Sequence, residues 1–171
     1  VVFFDTLLER LSPGEVEAVL AHELGHFKLR HVPKRMLAIF GASLAALAAL
    51  GWLAQQQWFY TGLGVVPNLP GAPNDALALL LLMFALPPFG FLVTPLAAAL
   101  SRRHEFEADA FAAQTMASAE PLVGALRKLS EKNLSNLTPH PWYSAWHYSH
   151  PTLTERESAL GLLKLGKLGG S

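Results

Sequence analysis

From Met36 to Ala54 the chain runs nineteen residues, MLAIFGASLAALAALGWLA, without a charge. As a helix rising ~1.5 Å per residue this stretch is about 28 Å long, close to the hydrocarbon thickness of a bilayer. Such a segment either crosses a membrane or forms a buried helical hairpin in a soluble protein, and its richness in alanine keeps the second reading open. A second apolar run, ALALLLLMFALPPFGFLVTPLAAAL from Ala76 to Leu100, is also long enough to span but contains Pro87, Pro88 and Pro95. Prolines leave carbonyls unpaired, which lipid does not tolerate uncovered, so this run is expected to be a kinked helix facing other helices or a cavity. The 171 residues suit one compact domain, or a small domain plus membrane segments, and 51% hydrophobic against 15% charged residues is high for a soluble chain.

The distribution of charge says more than its total. No Lys or Arg occurs between Arg35 and Arg102, whereas Lys28, Arg30, Lys34 and Arg35 precede the first run and Arg102 and Arg103 follow the second. Two transmembrane helices joined by the short loop Gln55 to Asp75 would put both basic flanks on one side, cytoplasmic by the positive-inside rule. The hairpin would then return the chain to the aqueous surface it left. Thirteen acids balance thirteen bases, so no global basic field points to nucleic acid. Cysteine is absent, which excludes disulfides, thiolate metal sites and a cysteine nucleophile. Any metal must be held by histidine and carboxylate.

Before the first run, Val1 to Leu8 reads as a short strand entering a turn. SPGE at Ser12 to Glu15 is a capping box with Pro13 at the first helical position. Val16, Val19, Leu20 and Leu24 recur at helical spacing, which predicts a helix to about Arg30, ending before Pro33. After the second run, SRRHEFEADAFAAQTMA predicts a helix, Glu120 to Lys132 another, and Thr138 to Pro151 an aromatic, Pro- and His-rich stretch. A second capping box, Thr152 to Glu155, opens a final helix. The start, VVFFDTLLER, has neither an initiator Met nor a signal-peptide pattern, and the end, LGKLGGS, could include a linker; a fragment of a longer protein is expected. Three parts follow: 1–35 with a strand or turn and the first polar helix, 36–100 as the membrane hairpin, and 101–171, which forms one catalytic domain with 1–35.

The first polar helix carries HELGH. His22 and His26 lie four apart on one helical face, where both imidazoles reach one metal ion with Glu23 beside it. The alternative is a helix that merely carries surface histidines. A hydrolytic zinc site needs a third protein ligand and an open position. His31, nine residues from His22, falls about half a turn away on the helical wheel and so points elsewhere unless the helix breaks early. The elongated HExxHxxGxxH pattern fails as well, because positions 29 and 32 are Leu29 and Val32. His31 is read as a polar residue at the helix end, favoured there by the dipole. The better third ligand is Glu105 in RRHEFEAD. Asp109, one turn on, shares its face and can accept the free ring N–H of a ligand histidine. Glu107 points away and His104 projects about 100° aside. The competing reading is an ordinary acidic helix start balanced by Arg102 and Arg103.

HELGH, an apolar hairpin, SRRHEFEADAFA and WHYSHPTLTER in this order resemble the type I CAAX prenyl endopeptidase family of integral membrane zinc metalloproteases, over nearly the entire chain. The resemblance implies a mainly α, gluzincin-like catalytic domain with a two-helix transmembrane hairpin inserted between the zinc-binding helices. It implies one zinc ion per chain bound by His22, His26 and Glu105, with Glu23 as catalytic base and Asp109 as the aspartate of the E-x-x-x-D motif. The family's H-P-x-x-x-x-R element matches His150, Pro151 and Arg156. His150 would donate to the oxyanion formed at the peptide carbonyl, and Arg156 would orient the site or substrate. Trp142, Tyr143, Trp146, His147 and Tyr148 read as an interfacial aromatic belt or packing cluster rather than as direct substrate contacts.

The expected protein is thus the C-terminal catalytic part of a multi-pass zinc metalloendopeptidase of a bacterial inner membrane or endoplasmic reticulum, its active site towards the cytoplasm. Its partners would be the lipid bilayer and a peptide or prenylated-peptide substrate, with no nucleic acid. Two alternatives stand beside it: an HtpX-like membrane quality-control protease, and a non-catalytic zinc-binding membrane module.

Overall fold

The computed structural model describes residues 10–67, 74–133 and 136–168. Among the described residues seven helices follow in order: α1 (Pro13–Lys28), α2 (His31–Leu53), α3 (Gln57–Gly62), α4 (Asp75–Thr115), α5 (Glu120–Asn133), α6 (Pro141–His147) and α7 (Leu153–Leu168). Among the described residues every regular element is a helix, as the mainly α reading requires. The strand expected over Val1 to Leu8 lies outside the described residues.

Both capping boxes form. The amide of Ser12 donates to Glu15 Oε2 at 2.7 Å while the Glu15 amide donates to Ser12 Oγ at 3.4 Å. The Thr152 amide donates to Glu155 Oε2 at 2.7 Å, and the Glu155 amide donates to Thr152 Oγ1 at 3.3 Å. Each box satisfies amides that the first turn of a helix leaves without partners.

Two boundaries differ from expectation. The chain leaves α1 at Lys28, two residues early, and Arg30 takes φ 57°, a left-handed conformation that turns the backbone before α2 starts at His31. Pro33 therefore lies inside the first turn of α2 instead of ending α1. That turn has no intrahelical use for the missing N–H, so proline is accommodated there. Likewise the second apolar run and RRHEFEAD are not separate helices but one helix of 41 residues, α4, which continues through all three prolines. The stretch after Pro95, LAAALSRRHEFEADAFAA, is made of strong helix formers with no breaker. Pro87 and Pro88 are exposed, so the described residues do not supply the covering helices or cavity expected around them.

The chain divides into two compact units, 1–32 with 94–171, and 33–93. The first is built on small side chains. Ala18 and Ala21 of α1, Ala112 and Ala113 of α4, Leu122 of α5 and Leu160 of α7 form its buried core. Small residues let helix backbones approach closely, and Gly25 shows how closely: a Cβ there would lie 3.1 Å from the Cα and 3.2 Å from the carbonyl oxygen of Ala108. Glu15 ties α1 to α5, accepting from Lys128 Nζ at 2.6 Å. That bond, with the one from the Ser12 amide, holds the Glu15 carboxyl below its ordinary value of 4.5.

In the second unit Phe59, Tyr60 and Ala78 are buried, packed against Leu50, Leu53, Ala54, Leu77 and Leu81. Tyr60 satisfies its hydroxyl by donating to the Ala54 carbonyl at 2.7 Å. By length and composition α2 and α4 can each cross a membrane, and their most apolar windows are 0% and 6% buried. Such faces, Leu37, Phe40, Leu44 and Leu47 on α2 among them, are left open to their surroundings.

Two predictions follow from the packing of the first unit. Gly25→Ala should lower stability by about 1–3 kcal/mol through overpacking against backbone. Gly14→Ala, where a Cβ would meet nothing within 4 Å, should not; thermal unfolding in detergent compares them. Because the Glu15 pKa is depressed on folding, its contribution is complete above the unfolded value near 4.5 and is lost as pH falls through the lower folded value. Glu15→Gln should therefore flatten the stability profile in that acidic window.

Candidate metal centre

α1 and α4 each contribute one helical face to the site, at the i, i+4 spacing that sets side chains one above the other. His22, Glu105 and Asp109 are buried, and His26 is partly so. His22 Nε2 lies 3.2 Å from His26 Nε2 and 3.6 Å from Glu105 Oε2, and His26 Nε2 lies 3.5 Å from Glu105 Oε1. A tetrahedral metal ion with bonds of 2.0–2.1 Å holds its ligand atoms about 3.4 Å apart. The three residues fit such an ion as they stand.

Hydrogen bonds on the far side of the rings decide which atoms face that point. Asp109 Oδ1 lies 2.9 Å from His22 Nδ1. An ionised carboxylate only accepts, so His22 carries its proton on Nδ1 and presents the Nε2 lone pair to the site. Arg156 braces Asp109 through both oxygens, Nε at 2.7 Å from Oδ2 and Nη2 on Oδ1. Its Nη1 stands 3.7 Å from Glu105 Oε2. This planar fork suits a buried carboxylate. Burial first, then the neighbouring His22, pushes the His26 pKa down, which keeps its imidazole neutral and able to donate a lone pair.

Glu23 is exposed, one position along α1 from His22. His150 Nδ1 lies 3.2 Å from Glu105 Oε1 with two thirds of its side chain open. His150, Arg156, Leu126, Leu129 and Leu153 share a cavity of about 510 Å³ beside the site. Of the aromatic stretch, Trp142 and Tyr143 are exposed, and Tyr143 packs on His147 and Tyr148 at centroid distances of 4.7 and 5.9 Å.

One feature departs from the sequence reading, and two others gain a neighbour from it. His31 was expected to point away from the site. Instead the turn at Arg30 swings it back, buried, with Nδ1 2.9 Å from His26 Nδ1. A helical wheel assumes unbroken rotation and cannot anticipate that turn. Glu107, read as pointing away from the face of Glu105 and Asp109, bonds His31 Nε2 at 3.1 Å and Arg103 Nε at 2.8 Å. His104, read as a bystander, stacks parallel on His31 with centroids 4.2 Å apart.

Arg102 also does more than flank an apolar run. Its Nη1 donates to the carbonyls of Ser144, Ala145 and Tyr148 at 3.3, 3.2 and 2.7 Å, closing the C-terminus of α6 just before His150. A cation there satisfies carbonyls left free and meets the negative end of the helix dipole.

The family model for peptidase family M48 matches residues 1–163. The chain is 35% identical over 161 residues to a CAAX prenyl protease 1 homolog of Oryza sativa subsp. japonica, covering 94% of this chain and 36% of that protein. It is 35% identical over 150 residues to a CAAX prenyl protease 1 homolog of Homo sapiens, covering 88% and 31%. The crystal structure of S. mikatae Ste24p superposes with a TM-score of 0.76 at 33% identity, covering 93% of this chain and 38% of that one. The chain thus spans about a third of the length of the relatives it matches.

Arg102→Ala should release the end of α6. The amide of Tyr148, bonded to the Ser144 carbonyl at 3.0 Å, is expected to exchange with deuterium about tenfold faster, the effect of losing a charge-assisted bond. Unchanged exchange would mean that Arg102 does not close this helix.

Proposed function

Since the chain belongs to peptidase family M48, we propose that it is the catalytic part of an integral membrane zinc metalloendopeptidase, with 1–35 and 101–171 as one catalytic domain and 36–100 as a transmembrane hairpin. The observation that carries the reading is the convergence of His22 Nε2, His26 Nε2 and the Glu105 carboxylate at separations of 3.2 to 3.6 Å. Two imidazoles and one carboxylate are a ligand set of catalytic zinc, leaving a fourth position for reactants.

When bound, zinc supplies Lewis acidity to the scissile carbonyl and lowers the pKa of water. Glu23, exposed and acceptor-only when ionised, takes the proton of the attacking water and delivers it to the leaving amine. No group of the chain becomes covalently attached to substrate. His150, open to solvent at the rim, donates a hydrogen bond to the oxyanion that develops on the carbonyl oxygen. Arg156 holds Asp109, and Asp109 holds the His22 ring, so the pair keeps one ligand in register. The cavity beside His150 and Arg156, with leucines on its wall, offers a peptide both apolar contacts and polar anchors.

The names of the relatives support a substrate of the CAAX type, a peptide with a prenylated cysteine near its C-terminus. They favour this over a general quality-control protease. The lysine- and arginine-free stretch from Arg35 to Arg102 supports a hairpin with both flanks cytoplasmic, and hence an active site on that side.

The test compares the parent protein with its Glu23→Gln form. Each should bind one zinc ion, while cleavage of a prenylated peptide should fall by about 10²–10⁴-fold in the variant. Undiminished cleavage would remove Glu23 from the mechanism. Absence of zinc from the active parent would remove zinc.

A further inference from the structure

His26 is buried less than His22. Where the far nitrogen of His22 meets Asp109, that of His26 meets another imidazole. His26 Nδ1 lies 2.9 Å from His31 Nδ1, His31 Nε2 lies 3.1 Å from Glu107 Oε2, and Glu107 Oε1 accepts from Arg103 at 2.8 Å. His31 is 3% exposed and held flat by the His104 ring at an interplanar angle of 9°.

The charges and donors along this chain allow one arrangement when both rings are neutral. Glu107, ionised beside Arg103, can only accept, so His31 carries its proton on Nε2. His31 Nδ1 is then an acceptor, so the bond between the two Nδ1 atoms requires the proton to sit on His26. His26 Nε2 is left with a lone pair, directed at His22 and Glu105. We propose that His31 and Glu107 are positioning residues that set the tautomer and ring orientation of His26 for metal binding, a second relay matching that of Asp109 and Arg156 on His22. The proposal rests on the reading of His22, His26 and Glu105 as the zinc site.

The same cluster invites another reading, a second metal site made of His31, His104 and Glu107, whose candidate ligand atoms lie within 4.8 Å of one another. The geometry opposes it. Imidazole lone pairs lie in the ring plane, and two parallel rings stacked at 4.2 Å direct theirs along parallel planes, without convergence on one ion. A tetrahedral site also needs ligand atoms about 3.4 Å apart. The stack fixes the plane of His31, which the relay requires.

The experiment measures zinc affinity by chelator competition, zinc stoichiometry, and the visible spectrum of the cobalt-substituted protein. The parent is compared with His31→Phe, which keeps the ring and its stacking but has no nitrogen, and His31→Asn, which restores a short acceptor. Glu107→Ala, at a side chain one third exposed, gives an independent variant that spares the buried stack. His31→Phe should weaken zinc binding about 10- to 100-fold, the usual effect of removing a partner of a metal-bound histidine. Its cobalt spectrum should shift, and His31→Asn should recover part of the loss. Glu107→Ala should act in the same direction, and the double variant His31→Phe with Glu107→Ala should be no weaker than His31→Phe alone, because both break one chain.

If the parent binds one zinc tightly and His31→Phe and Glu107→Ala bind it equally well with unchanged cobalt spectra, the relay is overturned and the zinc site stands. Two zinc ions in the parent, one of them lost in His31→Phe, would overturn the relay in favour of a second metal site. A parent that binds no zinc overturns the zinc reading and the relay with it.

Discussion

Two imidazole lone pairs and a carboxylate gathered within 3.6 Å of one another repel unless a cation lies among them, and much of the surrounding structure holds them in that arrangement. The work is divided by direction. From behind His22, Asp109 accepts the ring proton and Arg156 compensates its buried charge, which alone would be expensive to desolvate. From behind His26, the neighbour is the His31 ring, whose own carboxylate partner, Glu107, lies further out beside Arg103, where water shares the load. Charge is thus distributed so that the deeper partner is fully paired and the shallower one is partly solvated.

Holding ligands from two helices at such separations demands that the helix backbones approach closely. Gly25 lies inside HELGH itself, between the two histidines, where any side chain would strike the Ala108 backbone one residue before Asp109. The core beneath continues in alanine, at 18, 21, 112 and 113. Such small residues bury little apolar area each, so this contact contributes less hydrophobic stabilisation than a leucine interface would. Capping boxes and the Glu15–Lys128 pair supply part of the remaining definition, fixing where α1 starts and how it meets α5. Position here is determined by backbone proximity and polar ties more than by bulk.

What could be read from the sequence follows the range of the interaction. Spacing of four within a helix placed His22 beside His26 and Glu105 beside Asp109, because one helical turn is a local property that tertiary structure rarely alters. Both capping boxes were legible for the same reason. The placement of His31 was not, since it hangs on a single backbone reversal at Arg30, a residue type without the preference for positive φ that glycine would have advertised. Pro33 misled in the same place: it can end one helix or open the next, and only the turn before it decides. Arg102 was read through its charge as a membrane anchor, while its capture of three carbonyls some forty residues away leaves no local trace. His104 and Glu107 were assigned by rotation away from Glu105, and the wheel does not say what another helix brings to that face.

The continuity of α4 adds a constraint on where the chemistry takes place. Glu105 lies five residues beyond Leu100, the end of the apolar run, on one uninterrupted helix, which is about 7.5 Å of rise. On the proposed reading, with 76–100 crossing the bilayer, Glu105 follows the end of the span by little more than one helical turn. A soluble peptide would have to come to the membrane surface, whereas a peptide carrying a lipid already resides there, with its chain near the interface and its lipid below. Arg102 and Arg103, placed between the apolar run and the ligand, suit the same position, since basic residues hold helix ends at the boundary. On the same reading, the order of the sequence, apolar run, arginine pair, then Glu105, suits a substrate that is itself held at the membrane surface.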